Sequence, residues 1–553
     1  MQQATSVALL AATLVAAVHL DAQQLEGRKW THEKLGVELT IPEGYEVVPL
    51  QPDEQWIVAK FLCDKTYIAK DEWNTEHRPL MRVVAFTEKA KSASAAEVHE
   101  EKDGTTFIGI GAVPYQGYRD YVKRHRSGFF FSKEKEDKVA GEDCLVCEVE
   151  INKREPKLHL YSVVFRRPTF ELAVEFEVLE DRIDKLERDC LRALDSVRFG
   201  EPAAAEAAVT GVGGRRTSTR LWTAFRGEWR KRSLEERYEI RKQIEREHHE
   251  AVRKKTPDDW TITESKHFLV VSHTDSKFTD IMTDGAEVFW SWCEENFGKL
   301  SDDYVRRPVM RLCKDQDEYL AYHFASSGTT GWSLFDDTFE VGSYYSTYDG
   351  TSGSNVSRVF TSILRFYLQE KDPYIIEYTP YWITWALDDY FDNAVVKGKK
   401  IDFRAEDWAR DGARDMLRED KLPKLRELLE LDADGYSALR KKDYRANYAA
   451  AQALRYVLGP GQRIKQFKDF LNRYFEAAIQ VGEADDKKVA AADPSSAQTE
   501  EEEEALAKAE QERKKARKKA MQDKINATVL AGLGDKDWQK LEKAYAEFVK
   551  KGK

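Results

Sequence analysis

Few residues in this 553-residue chain stand at a spacing that chemistry requires. Cys144-Leu-Val-Cys147 has the C-x-x-C spacing of redox and zinc sites, but it lies in the alternating run EDCLVCEVEI, where positions three apart point to opposite faces of a strand. Plain buried cysteines, or one structural bridge, fit that context better. His248-His249 has no further His or Cys at ligand spacing. Beyond residue 260 the histidines are His267, His273 and His323, none paired at i, i+4, and the chain contains no H-E-x-x-H, G-x-S-x-G, P-loop or G-x-G-x-x-G. Asp388 and Asp392 share a helix face and, with Glu370, Asp372 or Glu377, offer oxygen ligands for a hard cation. A solvated acidic face is the plainer reading.

The elements that must position these groups are legible in outline. Hydrophobic residues make up 42% and charged residues 33% of the sequence, with 15 Pro and 30 Gly, which excludes a disordered or collagen-like chain and puts surplus charge on exposed helices. The length suits roughly three or four domains. A formal net charge of −11 argues against nucleic-acid binding, which draws its affinity from Lys and Arg neutralising phosphates. Val7 to Val18 is an apolar run too short for the ~20 residues of a spanning helix and suited to a signal peptide cleaved after Ala22. The expectation is a signal peptide over residues 1–22, an exported periplasmic or extracellular protein, and no transmembrane segment in the mature chain.

Residues 27–200 read as an antiparallel-sheet α+β module. Strands are expected over 37–41, 56–63, 81–86, 143–151, 158–165 and 170–176, from β-branched and aromatic residues in alternation. Helices are expected over 115–126 and 182–194, the latter with Ile183, Leu186, Cys190 and Leu194 on one stripe. Residues 201–258 read as an Ala/Gly-rich linker followed by a charged helix, solvated between domains, with Trp222, Phe225 and Trp229 available for docking. From 259 to 482 a small sheet (267–274, 309–313 and a hairpin over 332–345) is followed by mainly helical spacing. Residues 483–524 are a charged low-complexity insertion, and 525–553 regain an amphipathic helix through Trp538, Leu541, Tyr545 and Phe548.

The opening LGVELTIPEGYEVV, the hairpin strands and the closing helix ending LDSVRF resemble the Mog1/PsbP-like family of binding and assembly modules. The second unit resembles the secreted gluzincin-type metallopeptidases. The resemblance rests on its opening strand (Trp260, Ser265, His267, Phe268, Val270, Ser272), on Gly331-Trp332, on PYWITWALDDYF over 380–391, and on the helical tail. An active gluzincin needs two His one helical turn apart, a Glu beside the first, and a third-ligand Glu on the next helix. The register of the resemblance places Thr361 and Arg365 at the histidines, Ser362 at the base and Trp385 at the ligand carboxylate. None of these side chains suits zinc, and a dication about 4 Å from Arg365 would meet several kcal/mol of repulsion even at an effective dielectric of ~20.

The resemblance thus implies no catalytic residues, no metal and no cofactor, with Thr361, Ser362, Arg365 and Trp385 marking a lost metal seat. Trp385 would fill it, and Arg365 would pair with Asp388, Asp389 or Glu377. Trp332, Tyr344, Tyr345, Tyr348 and Trp382 are the aromatics that could line a surviving cleft. The expected function is an exported, non-catalytic binding or assembly protein for a protein, peptide or glycan partner. Its rivals are an active zinc metallopeptidase with unrecognised ligands and a pure protein-interaction scaffold.

Overall fold

The computed structural model describes residues 23–50, 56–71, 74–87, 96–100, 106–110, 115–125, 129–151, 157–200, 232–323, 333–335, 340–345, 356–391, 394–403, 407–465, 467–489 and 500–552. The expected signal segment, the linker 201–231 with its three aromatics, and Trp332 and Tyr348 lie outside these residues. Among the described residues no helix is long and apolar enough to cross a membrane. The architecture is α+β.

The first unit opens with β1 (Gln23–Glu26), β2 (Lys29–His32), β3 (Val37–Thr40), β4 (Tyr45–Val47), β5 (Ile57–Cys63) and β6 (Leu80–Thr87). It continues with α1 (Tyr118–His125), β7 (Phe129–Val139), β8 (Glu142–Ile151), β9 (Leu158–Arg166), β10 (Phe170–Leu179), α2 (Ile183–Asp195) and β11 (Arg198–Phe199). Seven antiparallel strands form the main sheet in the order β7-β8-β9-β10-β6-β5-β4, and β1-β2-β3-β11 form a smaller one. Every residue of β5 and β6 is buried, and each strand reads as an apolar run broken by one charge, Lys60 and Arg82. Strand β7, at the sheet edge, carries the charged run SKEKEDK, a composition that discourages edge-to-edge pairing.

The two faces of the main sheet have different covers. Phe61, Met81, Val83, Cys144, Val163, Phe165 and Leu172 face the small sheet and the Leu186/Cys190/Leu194 stripe of α2. On the opposite face Val84, Phe86, Cys147, Val149, Leu160 and Val164 receive Tyr118, Tyr121 and Val122 of α1. Further along that second face, cross-strand neighbours Lys60, Arg82 and Glu175 bury charge. Arg82 donates to Glu175 at 2.5 Å and to Glu177 at 2.9 Å, and the Tyr118 hydroxyl donates to Glu175 at 2.6 Å, which ties α1 down. The burial of these charges is tolerable because Arg82 is paired with Glu175 and Glu177, and Lys60 is hydrogen-bonded.

The second unit begins with α3 (Leu234–Lys255), started by a capping box between Ser233 and Glu236. Then follow β12 (Thr261–Glu264), β13 (Leu269–Ser272), α4 (Ser276–Phe297), β14 (Val309–Cys313), α5 (Gln316–His323), β15 (Ser333–Phe335) and β16 (Glu340–Tyr344). The sheet runs β12-β13-β14-β16-β15, with β13, β14 and β16 parallel. The helical half contains α6 (Phe360–Lys371), α7 (Pro373–Tyr378) and α8 (Tyr381–Phe391), and a hairpin β17 (Ala394–Lys397) and β18 (Lys400–Phe403). It closes with α9 (Asp407–Arg418), α10 (Leu425–Glu430), α11 (Ala433–Lys442), α12 (Ala446–Leu458), α13 (Phe470–Val489), α14 (Glu500–Val529) and α15 (Asp535–Lys551). Ala446, Ala449, Ala450 and Ala453 of α12 are wholly buried, and their small side chains let α8 pack close along it. One large core joins these helices, with Phe289 of α4 stacked on Phe360 of α6 at 4.2 Å. Helix α14 runs across the expected boundary at 524: Met521, from the segment expected as a charged insertion, enters that core together with Ile525 and Val529 beyond it.

Candidate functional site

The helices expected to hold the metal seat form where the sequence places them. Thr361, Ser362 and Arg365 stand on α6, Trp385 on α8, and the two helices pack together. Thr361 and Ser362 are buried, and the Ser362 hydroxyl oxygen has no hydrogen-bond partner. Trp385 is half-buried and packs on the main core, with the Arg440 guanidinium of α11 over its ring at 4.0 Å. Glu377, one expected partner of Arg365, is exposed on α7. The side chains of Asp388 and Asp389, and all of Asp392, lie outside the described residues.

Glu370, the one acidic residue of α6, is fully enclosed, and guanidinium groups surround it. Arg241 of α3 donates to it, and Arg306 approaches at 3.5 Å. Arg241 also lies 3.4 Å from buried Asp303, which Arg237 reaches at 3.7 Å. Burial pulls the Arg306 guanidinium down to about 10, against the upward pull of Glu370. This network corrects two expectations. Glu370 is not a free oxygen ligand for a cation, because two permanent cations already occupy it. The charged helix 234–255 is solvated on one face only, because Arg241, His249 and Val252 are buried and Arg241 pins it to α6. Among the described residues no group of three His, Cys, Asp or Glu side chains could hold a metal ion.

The expected aromatic cleft fares unevenly. Trp382 is completely buried in the helical core, and Tyr344 is nearly so, set against Tyr319 at 5.6 Å. Burial of this kind makes them packing residues rather than a ligand platform. Tyr345 is 39% exposed and meets Phe278 edge-on at 5.1 Å.

His267, His273 and His248, and the six cysteines, are built into the fold. His267 pairs with Glu287 at 2.6 Å and stacks on Trp290, while Ser265 donates to the same carboxylate. His273 lies between Glu318 at 2.6 Å and Asp259 at 3.3 Å, and the Glu318 hydrogen bond raises its pKa. His248 is held well below the usual imidazole range by burial, reinforced by His249 and Arg306. All six cysteines are free and buried, so no bridge forms. Cys144 and Cys147 face opposite sides of the sheet, as the alternation requires. Burial pushes the Cys147 thiol up to about 12, far from a reactive thiolate.

Sequence reasoning missed the groups that join the two units. Lys60, wholly buried on β5, donates its ammonium to the Tyr322 carbonyl of α5 at 2.9 Å. Arg78 donates to the Cys63 carbonyl at 2.5 Å and to Asp315 at 2.8 Å, and Val48, Leu62 and Leu80 pack on Ala321 and Tyr322. The Tyr322 hydroxyl donates to Glu340, which also pairs with Arg311 at 3.2 Å, and the Arg311 guanidinium lies 4.2 Å over the Tyr322 ring. The signal available was a lone Lys inside the apolar run IVAKFLC, but a lone charge does not name its partner.

No protein-family model matches the sequence, and no curated protein matches it. Among solved structures, the chain aligns with the solution structure of cyanobacterial PsbP (CyanoP) from Synechocystis sp. PCC 6803. That match has 11% identity and a TM-score of 0.21, and covers 32% of this chain and 98% of that one. It also aligns with LpqN, involved in cell envelope biogenesis of Mycobacterium tuberculosis, at 11% identity and a TM-score of 0.19, covering 30% of this chain and 83% of that one.

Proposed function

We propose that this chain is an exported, non-catalytic binding or assembly protein. In this reading a PsbP-like module is fixed to a degenerate gluzincin-like unit whose metal seat has been replaced by packing. The observation that supports it most is the cationic surround of the former seat. Arg440 lies over Trp385, Arg365 stands on α6, and Arg241 with Arg306 takes the one carboxylate of that helix. A zinc site needs anionic or neutral donors with lone pairs, and guanidinium groups have none. The two units are joined by buried polar contacts, which suits a protein that presents one composite surface to a partner.

Elemental analysis of the purified chain, combined with a peptide-cleavage screen with and without chelator, tests this reading. The expected result is no stoichiometric transition metal and no cleavage that a chelator abolishes. One tightly held zinc per chain with chelator-sensitive cleavage would overturn it.

A further inference from the structure

A cleft of about 330 Å³ opens on the second face of the main sheet, between the start of α1 and strands β7, β8 and β9. Helix α1, 8 residues long, packs on β7 and β10, and Arg119 at its start overhangs Phe131 and the cleft. The floor is apolar: Cys147 and Val164 are fully buried, and Leu145 and Phe131 are partly exposed. The size falls at the lower end of the roughly 300–1,000 Å³ of small-molecule sites.

The rim carries two ion pairs set side by side along β7. Arg119 on α1 donates through Nε to Glu134 at 3.2 Å and through a second nitrogen to the other oxygen of the same carboxylate. Arg166 on β9 donates to Glu136 at 3.0 Å. Glu134 and Glu136 lie two apart on β7, opposite Cys147 and Leu145, so both point over the floor. Lys135 alternates away and pairs with Asp137 at 2.7 Å. Glu171, also on the lining, is already occupied by the Tyr118 N–H at 2.5 Å.

We infer that this cleft binds a zwitterionic small molecule with an apolar side chain, of the class of a free hydrophobic α-amino acid. The arginines are 70% and 57% exposed, so their pairs with Glu134 and Glu136 are weak and exchangeable. A ligand carboxylate replaces a glutamate at one arginine, and a ligand ammonium replaces the arginine at the freed glutamate. A simple anion would meet two carboxylates, and a simple cation two guanidinium groups. Only a molecule bearing both charges keeps every rim group paired. Its side chain on Leu145 and Phe131 then supplies the net driving force through apolar burial. The assignment rests on the reading of the protein as a binder. Bound zinc would end that reading without touching the calorimetry below, and a failed titration would end this assignment without touching that reading.

Isothermal titration of the full chain with L-phenylalanine tests it, alongside L-phenylalaninamide, which lacks the carboxylate, and N-acetyl-L-phenylalanine, which lacks the ammonium. The expected result is saturable binding of phenylalanine, weakened roughly tenfold or more when either charge is removed, the usual scale of a lost charge-assisted hydrogen bond. Leu145→Trp, which fills the floor, should abolish binding, and Glu136→Gln should weaken it at an unchanged melting temperature. If Leu145→Trp fails to fold, Glu136→Gln, on a side chain 68% exposed, still decides the matter. No saturable heat up to the solubility limit, equal binding of the three compounds, or phenylalanine binding unaffected by the variants overturns the proposal.

Discussion

The ammonium of Lys60 and the main-chain carbonyl of Tyr322 meet at 2.9 Å, 262 positions apart in sequence, at a point where neither reaches solvent. This contact sets how firmly the two units hold each other. Replacing Lys60 by Met keeps most of the stem but orphans a buried carbonyl, at a cost of about 1–3 kcal/mol. Denaturant unfolding should show the lower midpoint, and limited proteolysis should show faster cutting near α5. An unchanged midpoint would mean that the apolar packing of Val48, Leu62 and Leu80 holds the units without it.

Glu370 balances Arg241 and Arg306 inside the second unit. Glu370→Gln leaves two enclosed cations short of a counter-charge, and the expected loss is about 3–5 kcal/mol by urea denaturation. Hydrogen exchange should rise along Leu234–Lys255 first, because α3 is held through Arg241. Uniform loss of protection across the unit would contradict that order.

Asp317, at the start of α5, gives the contact between units a pH dependence. Burial pushes its carboxyl up to about 7, with Asp315 and Glu76 adding to the rise and Arg78 opposing it. An unfolded Asp titrates near ~3.9, so the folded state holds its proton more tightly. The stability Asp317 contributes is therefore complete below about pH 4 and is lost as pH rises through about 7. Buried His77, whose pKa is lowered by burial, works in the opposite sense: its contribution is present above ~6.5 and lost on acidification. Asp317→Asn separates the two. The variant should lose less stability than the parent between about pH 5 and 8. Parallel stability profiles would remove Asp317 from the account.

The thiols offer a simpler check. With all six cysteines buried and unbridged, native protein should react with a thiol reagent only as fast as it opens. Six thiols should then titrate in denaturant, and a reductant should leave the melting temperature unchanged. A titre of four would reveal a bridge.

The strands with apolar alternation were legible to within a residue or two at β5, β8 and β9 and within three at β10, because burial on one or both faces writes itself into the pattern. Strand β7 was not, since its SKEKEDK run satisfies an edge position with charge and hides the period-two signal. Helix α13 begins only at Phe470, because a 3-10 turn over Pro460–Arg463 follows Gly459. The β17–β18 hairpin carries a short, mixed pattern and does not stand out from the helical spacing around it. Sequence spacing put Thr361 and Arg365 on one helix and Trp385 on another, as α6 and α8 have them, but it could not place Arg241 on Glu370. Those residues stand 129 positions apart, and no periodicity encodes a partner at that range.

The single sheet face that carries both α1 and α5 has a consequence for how the gene product can be cut. By composition the chain invites division in the linker, yet either half produced alone would bare a greasy seam, and the first half would also bare an unsatisfied ammonium. Severing the connection should therefore yield two fragments that aggregate apart and recombine when mixed, so that the pair behaves as a clasp rather than as beads on a string.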